Sequence, residues 1–199
     1  YIHYSGVKVK DFLKKAGVDL SQATGITAFA PDGFSIDFSM EDILSPFPRA
    51  AFYDFRNDDK LSKSLVEYSS LTPSEAIHKE LLKDELWLMI ALERDGENLT
   101  PASYNNMKGH IEGAGPFRII APQTKPGRPD RGIKAQPQND GWDFSEHLDH
   151  NAGRCIRGMC VIRVNPVPEG FEEYDWRNGW SLILEKQIVI YGLGVPVRK

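Results

Sequence analysis

Cysteine is scarce: Cys155 and Cys160 are the only two among 199 residues. A disulfide scaffold is thereby excluded, and a chain of this length can bury a sizeable core without staples. On a strand their separation would put the two side chains on opposite faces, which argues against a bridge between them. Two further ligands at metal spacing are missing, so a structural zinc site is not expected. The plain reading is two small buried apolar residues; a reactive thiol or an intermolecular bridge is the alternative. Long apolar runs are also missing, and none approaches the roughly 18 residues of a membrane-spanning helix. Excess positive charge is missing too. With 24 Lys and Arg against 28 Asp and Glu the net charge is −4, so nucleic acid, which asks for a basic face, is not an expected partner. Neither a P-loop nor a Gly-x-Ser-x-Gly elbow occurs. The first residue is Tyr1 rather than methionine, so a processed or trimmed product is expected.

What is present is the composition of a globular domain, 41% hydrophobic and 26% charged, and one domain over residues 1–199 is expected. The spacing of Val9, Phe12, Leu13 and Ala16 predicts a short amphipathic helix within 6–17, stopped at Gly17. An apolar run at 26–30, the turn Pro31-Asp32-Gly33 and the alternating Phe34-Ser35-Ile36-Asp37-Phe38 predict a β-hairpin. Ser39 with Asp42 three residues on predicts a capped short helix ending before Pro46. Residues 45–80 read as an irregular excursion with a helix near 74–82. The run 85–93, the most apolar in the chain, predicts a buried central strand closed by the tight turn Asp95-Gly96. Further strands are predicted at 117–121 and 156–164, and a terminal hairpin from 180–184 and 187–191. Short strands, many Gly and Pro turns and few helices define a mixed, mainly β, α+β class.

Between the strands at 117–121 and 156–164 lies a long polar segment rich in arginine, glycine and proline. A connection of that length is functional or disordered more often than structural. Arg118, Lys125, Arg128, Arg131 and Lys134 form a basic stretch in an acidic chain, with Gly127 and Gly132 able to bring backbone close to an anion. The stretch also reads as a solvated loop with scattered charges. Asp149-His150-Asn151-Ala152-Gly153-Arg154 is a compact polar cluster just before a strand. It suits a phosphate or oxo group, and equally a Gly-stabilised turn that ties the loop down. His147 and His150 with Asp143 or Glu146 are a looser metal-site alternative that would suit a metallohydrolase. Trp142, Phe144 and Trp180 are core aromatics by default and ring-stacking partners otherwise. Glu93-Arg94-Asp95-Gly96 reads as a hairpin turn with an ion pair.

Five segments in order resemble the sulfite oxidase-type molybdopterin-binding domain family: GVKVKDFLKKAGV, FAPDGFSIDFSMEDIL, LMIALERDGENL, GAGPFRIIAPQ and RCIRGMCVIRV. The similarity runs from Gly6 to about Val164 and is greatest to a branch of exported bacterial homologues, which shares ERDG, DHNAG and the ending IRV-x-P-x-P-x-G. The resemblance implies a sulfite-oxidase-type fold, a periplasmic or otherwise exported location and molybdopterin as cofactor. It implies electron or oxygen-atom transfer at the bound molybdenum, with a redox partner protein. For such a ligand, the donor chemistry of the long segment and its flanks makes Arg118, Arg128, Arg131, His147, His150, Asn151, Arg154 and Arg157 the candidates for pterin and phosphate binding. The resemblance also implies a molybdenum-ligating cysteine ahead of the first helix, which in this numbering falls before Tyr1. Cys155 and Cys160 come too late in the chain for that role. The competing expectation is a non-catalytic binding module that keeps the fold without the metal.

Overall fold

The computed structural model describes residues 3–47, 51–53, 65–67, 85–107, 110–122, 154–170 and 174–196. The chain divides into two compact units, one of 1–45, 88–120 and 154–199, the other of 46–87 and 121–153. In order, the first holds β1 (Tyr4–Lys8), α1 (Val9–Lys15), β2 (Gly25–Phe29), β3 (Ser35–Ser39) and α2 (Met40–Leu44). The second unit contributes an antiparallel pair, β4 (Ala51–Tyr53) and β5 (Leu65–Glu67). The first unit continues with β6 (Met89–Arg94), β7 (Glu97–Asn98), β8 (Ser103–Asn105), β9 (His110–Glu112) and β10 (Arg118–Ile120). It closes with β11 (Val161–Asn165), α3 (Gly179–Glu185) and β12 (Val189–Gly192). The described residues are therefore mixed α+β and mostly strand.

Two sheets carry the first unit. One has the order β1-β6-β10, all antiparallel, with β7 folded back onto β6. The strand β6 is central and is buried at two successive positions, Ile90 and Ala91, which face opposite ways. That is why its sequence is a continuous apolar run rather than an alternating one. The other sheet has the order β12-β11-β2-β3. Ile26, Ala28, Phe38, Ile162 and Val164 alternate onto one face and are buried. The opposite face carries Thr27, whose hydroxyl donates to Asp37 at 2.5 Å and accepts from Asn165 at 2.9 Å and Arg163 at 3.2 Å. That polar row fixes register across three strands, because a one-residue slip would place it in the core.

Local signals explain most element ends. Ser39 and Asp42 form a reciprocal capping box at α2, and Asp95 and Gly96 both take positive φ, at 53° and 84°, in the tight turn between β6 and β7. The predicted first helix begins later than its periodicity suggests: residues 4–8 pair with β6 as a strand, and only Val9–Lys15 is helical. Cys155 and Cys160 precede β11 rather than lying on it, and both are buried thiols outside any disulfide.

The predicted terminal hairpin is corrected. Residues 180–184 lie inside α3, where Gly179, Leu182 and Ile183 are buried at helical spacing and Leu184 is 83% exposed. A short apolar run fits either period, and the deciding constraint is topological. The strand β12 runs parallel to β11, and parallel neighbours need a crossover that a tight hairpin cannot supply. The helix ends on Lys186 in the left-handed region at φ 54°, with its N–H and that of Gln187 donating to the carbonyls of Ile183 and Leu182.

Ile162 is fully buried at the middle of this sheet. Truncation to alanine is expected to cost about 2–5 kcal/mol of unfolding free energy, read as a lower urea midpoint at unchanged slope. A loss below about 1 kcal/mol would show that this face is not the core.

Candidate functional site

The site is built outward from Arg118. It sits on the three-residue strand β10 opposite Ala91 of β6, which in turn faces Gly6 of β1. Small residues in this cross-strand row leave a lane for a long side chain. Gly6 is also required by the bulge between Ser5 and Gly6, where a Cβ would overlap the Ile90 carbonyl. Arg118 is only 8% exposed, and its guanidinium donates to the Tyr4 hydroxyl at 3.0 Å and lies 5.6 Å from the centroid of the Tyr4 ring. A guanidinium does not lose its proton in a protein, so burial demands this kind of partner. Tyr4 itself is the register partner of Arg94, so the first sheet brings two arginines to one tyrosine.

A cleft of about 360 Å³ opens beside this group, lined by Arg94, Glu97, Asn98, Arg118 and Arg157. Leu99, Thr100, Gly113 and Ala114 complete the lining. The tight turn at Asp95-Gly96 makes Arg94 and Glu97 direct cross-strand neighbours. Arg94 Nε lies 3.4 Å from Asp95 Oδ2, the ion pair expected of this turn. The backbone N–H of His3, donating at 2.9 Å, is the main cause that holds the Asp95 carboxyl below its ordinary range. Gly113 has φ 81°, and a Cβ there would overlap the Pro101 carbonyl. The backbone therefore approaches the cleft wall more closely than any other residue would allow.

Of the residues expected to bind a cofactor, Arg118 and Arg157 share this cleft. Arg154 does not line it. Its NH2 is 3.1 Å from Asp42 Oδ1, and its guanidinium lies 5.8 Å from the centroid of Phe38, so it ties the start of this segment to α2. Arg128, Arg131, His147, His150 and Asn151 lie outside the described residues, as do Lys125, Lys134, Asp149 and the metal-site alternative. Trp180 makes an edge contact with Tyr104, with ring centroids 6.4 Å apart, as a packing aromatic does. Tyr4 and Glu97 carry no sequence signal. Arg94 does carry one, but as a turn ion pair, and its second place in the cleft follows only from the pairing of β6 with β7.

The chemistry of the donors favours an oxyanion. Guanidinium forks match phosphate or carboxylate bidentately, and the partly buried setting strengthens those bonds. The phosphate of a molybdopterin fits this donor set; among the described residues the metal finds no matching ligand. Among the described residues no group of three or more His, Cys, Asp or Glu could hold a metal ion. Burial first, and then the negative charge of Asp32, push the Cys160 thiol up from 9.0 to about 12, whereas a metal-ligating sulfur must be a thiolate. Fold and site thus define a mainly β, α+β arrangement of the described residues with an arginine-lined cleft. No family model, curated protein or solved structure matches the chain.

The Cys160 thiol gives a pH prediction. The unfolded chain releases this proton near 9.0 and the folded chain only near 12. Its contribution is whole below the unfolded value and is lost as pH rises toward the folded one. Urea unfolding of the parent should therefore weaken from pH 9 upward more steeply than that of Cys160→Ala, measured at steps up to pH 11. Equal slopes for the two proteins would contradict the burial argument.

Proposed function

We propose that this chain binds a phosphorylated pterin of the molybdopterin type in the arginine cleft, as an oxidoreductase-like protein of the sulfite oxidase kind. One observation carries the reading: Arg118 and Arg157, singled out from the sequence as pterin-phosphate residues, line one cleft together with Arg94. The volume suits a small cofactor headgroup. Arg118, fixed by Tyr4, holds its guanidinium in place before a ligand arrives, which lowers the ordering cost of binding. Arg157 is exposed and lines the same cleft, so it offers the anion a second guanidinium fork.

When bound, a molybdenum pterin would supply the oxygen-atom or electron transfer, and a redox partner protein in an exported compartment would take the electrons. The residues of the chain bind and orient the cofactor. A second reading keeps the fold and the anion site without the metal. Cys155 and Cys160 are buried, and Cys160 keeps its proton. A module that retains the fold and holds a pterin or another anion without metal fits that observation.

Expression in a host that makes the cofactor, followed by oxidation and fluorescence assay of extracted pterin, tests both. The expected result is about one pterin per chain. Arg118→Ala and Arg157→Ala should each reduce retention roughly ten- to a hundredfold, the range of one lost charge-assisted hydrogen bond. Molybdenum equimolar with pterin supports the oxidoreductase; pterin without molybdenum supports the metal-free module. Absence of pterin, or retention unaffected by both substitutions, would overturn the pterin assignment.

A further inference from the structure

The cleft holds two kinds of charge, and they are not equally engaged. Arg94 is taken up by Asp95 and Arg118 by Tyr4. The exposed Glu97 carboxylate and Arg157 guanidinium have no ion-pair or hydrogen-bond partner among the described residues. Glu97 and Arg94 stand opposite each other in the β6–β7 register, yet Arg94 turns to its neighbour in sequence instead. Next to Glu97 is Asn98, whose amide both donates and accepts. A site built only for an oxyanion would not place a carboxylate on its wall, because like charges repel. A carboxylate accepts two parallel N–H bonds, as it does from the fork of an arginine.

We infer that Glu97 is a specificity residue that reads the N–H-rich edge of the ligand, so that the cleft selects an aminopyrimidinone ring bearing a phosphate over other phosphate esters. The ring presents a ring N–H and an exocyclic amino group side by side, a donor pair that matches the two carboxylate oxygens. The amide of Asn98 meets the adjoining carbonyl, and Arg157 with Arg118 takes the phosphate. Two sources supply this chemistry, a phosphorylated pterin and a guanine nucleotide. The inference rests on the cleft being the ligand site and deepens the pterin reading.

Calorimetric titration of the parent and of Glu97→Gln with four probes tests it: hydroxymethylpterin phosphate, guanosine monophosphate, adenosine monophosphate and glycerol phosphate. The parent should bind the first two roughly ten- to a hundredfold more tightly than the last two, the range of hydrogen bonds to a charged acceptor. Glu97→Gln should abolish that preference and leave glycerol phosphate bound as well as before or better, since a negative charge is removed beside three arginines. Arg157→Ala should weaken all four together. A preference for guanosine over adenosine monophosphate without retention of the pterin phosphate would keep the role of Glu97 and sink the pterin reading. Tight pterin phosphate binding whose preference survives Glu97→Gln would keep the pterin reading and overturn the role of Glu97. Failure of all four probes to bind would overturn both.

Discussion

Arg118 cannot shed its charge, and it is nearly buried. Around that one constraint the first sheet is arranged. The guanidinium needs an acceptor and a polarisable face, and Tyr4 provides both through its hydroxyl and its ring. Tyr4 reaches it only because β1 pairs with β6 on the side away from β10. The side chain can cross β6 only because Ala91 and Gly6 lie in its row. Strand order, a bulge and two small residues all serve the placement of one cation.

The cleft follows from the same arrangement. The central strand β6 ends at Arg94, and the tight turn brings Glu97 back beside it, so charges of both signs stand at the edge where Arg118 emerges. The segment before β11 supplies Arg157. Its neighbours Cys155, Ile156, Met159 and Cys160 are buried, which anchors the backbone that presents it. The second sheet contributes no lining residue. Its polar row at Thr27, Asp37 and Arg163 is hydrogen-bonded across three strands and serves register.

How much of this is legible in the sequence differs from residue to residue. Arg118 stands out because a charge inside a short apolar strand must find water or a partner. The hairpin of β2 and β3, the capping box and the β6 turn are written in local chemistry and appear as expected. Tyr4 is not legible as the partner, since it is 114 positions away and nothing in its own strand marks it. Arg154 and Arg157 look alike in sequence, yet one binds Asp42 and the other lines the cleft. Only the fold separates them. The helix at residues 179–185 was hidden for a similar reason: its short apolar run suits either period, and the parallel pairing that selects a helix is a long-range fact.

The claim at the centre is that Arg118 and Arg157 serve one ligand while Arg154 serves the fold. The most direct measurement follows the side-chain Nε–Hε resonances of the arginines by NMR during titration with hydroxymethylpterin phosphate. The account predicts that the signals of Arg118 and Arg157 move together with a single dissociation constant and that Arg154 stays still. Movement of Arg154 in step with the ligand, or silence of Arg118 while Arg157 responds, would contradict it.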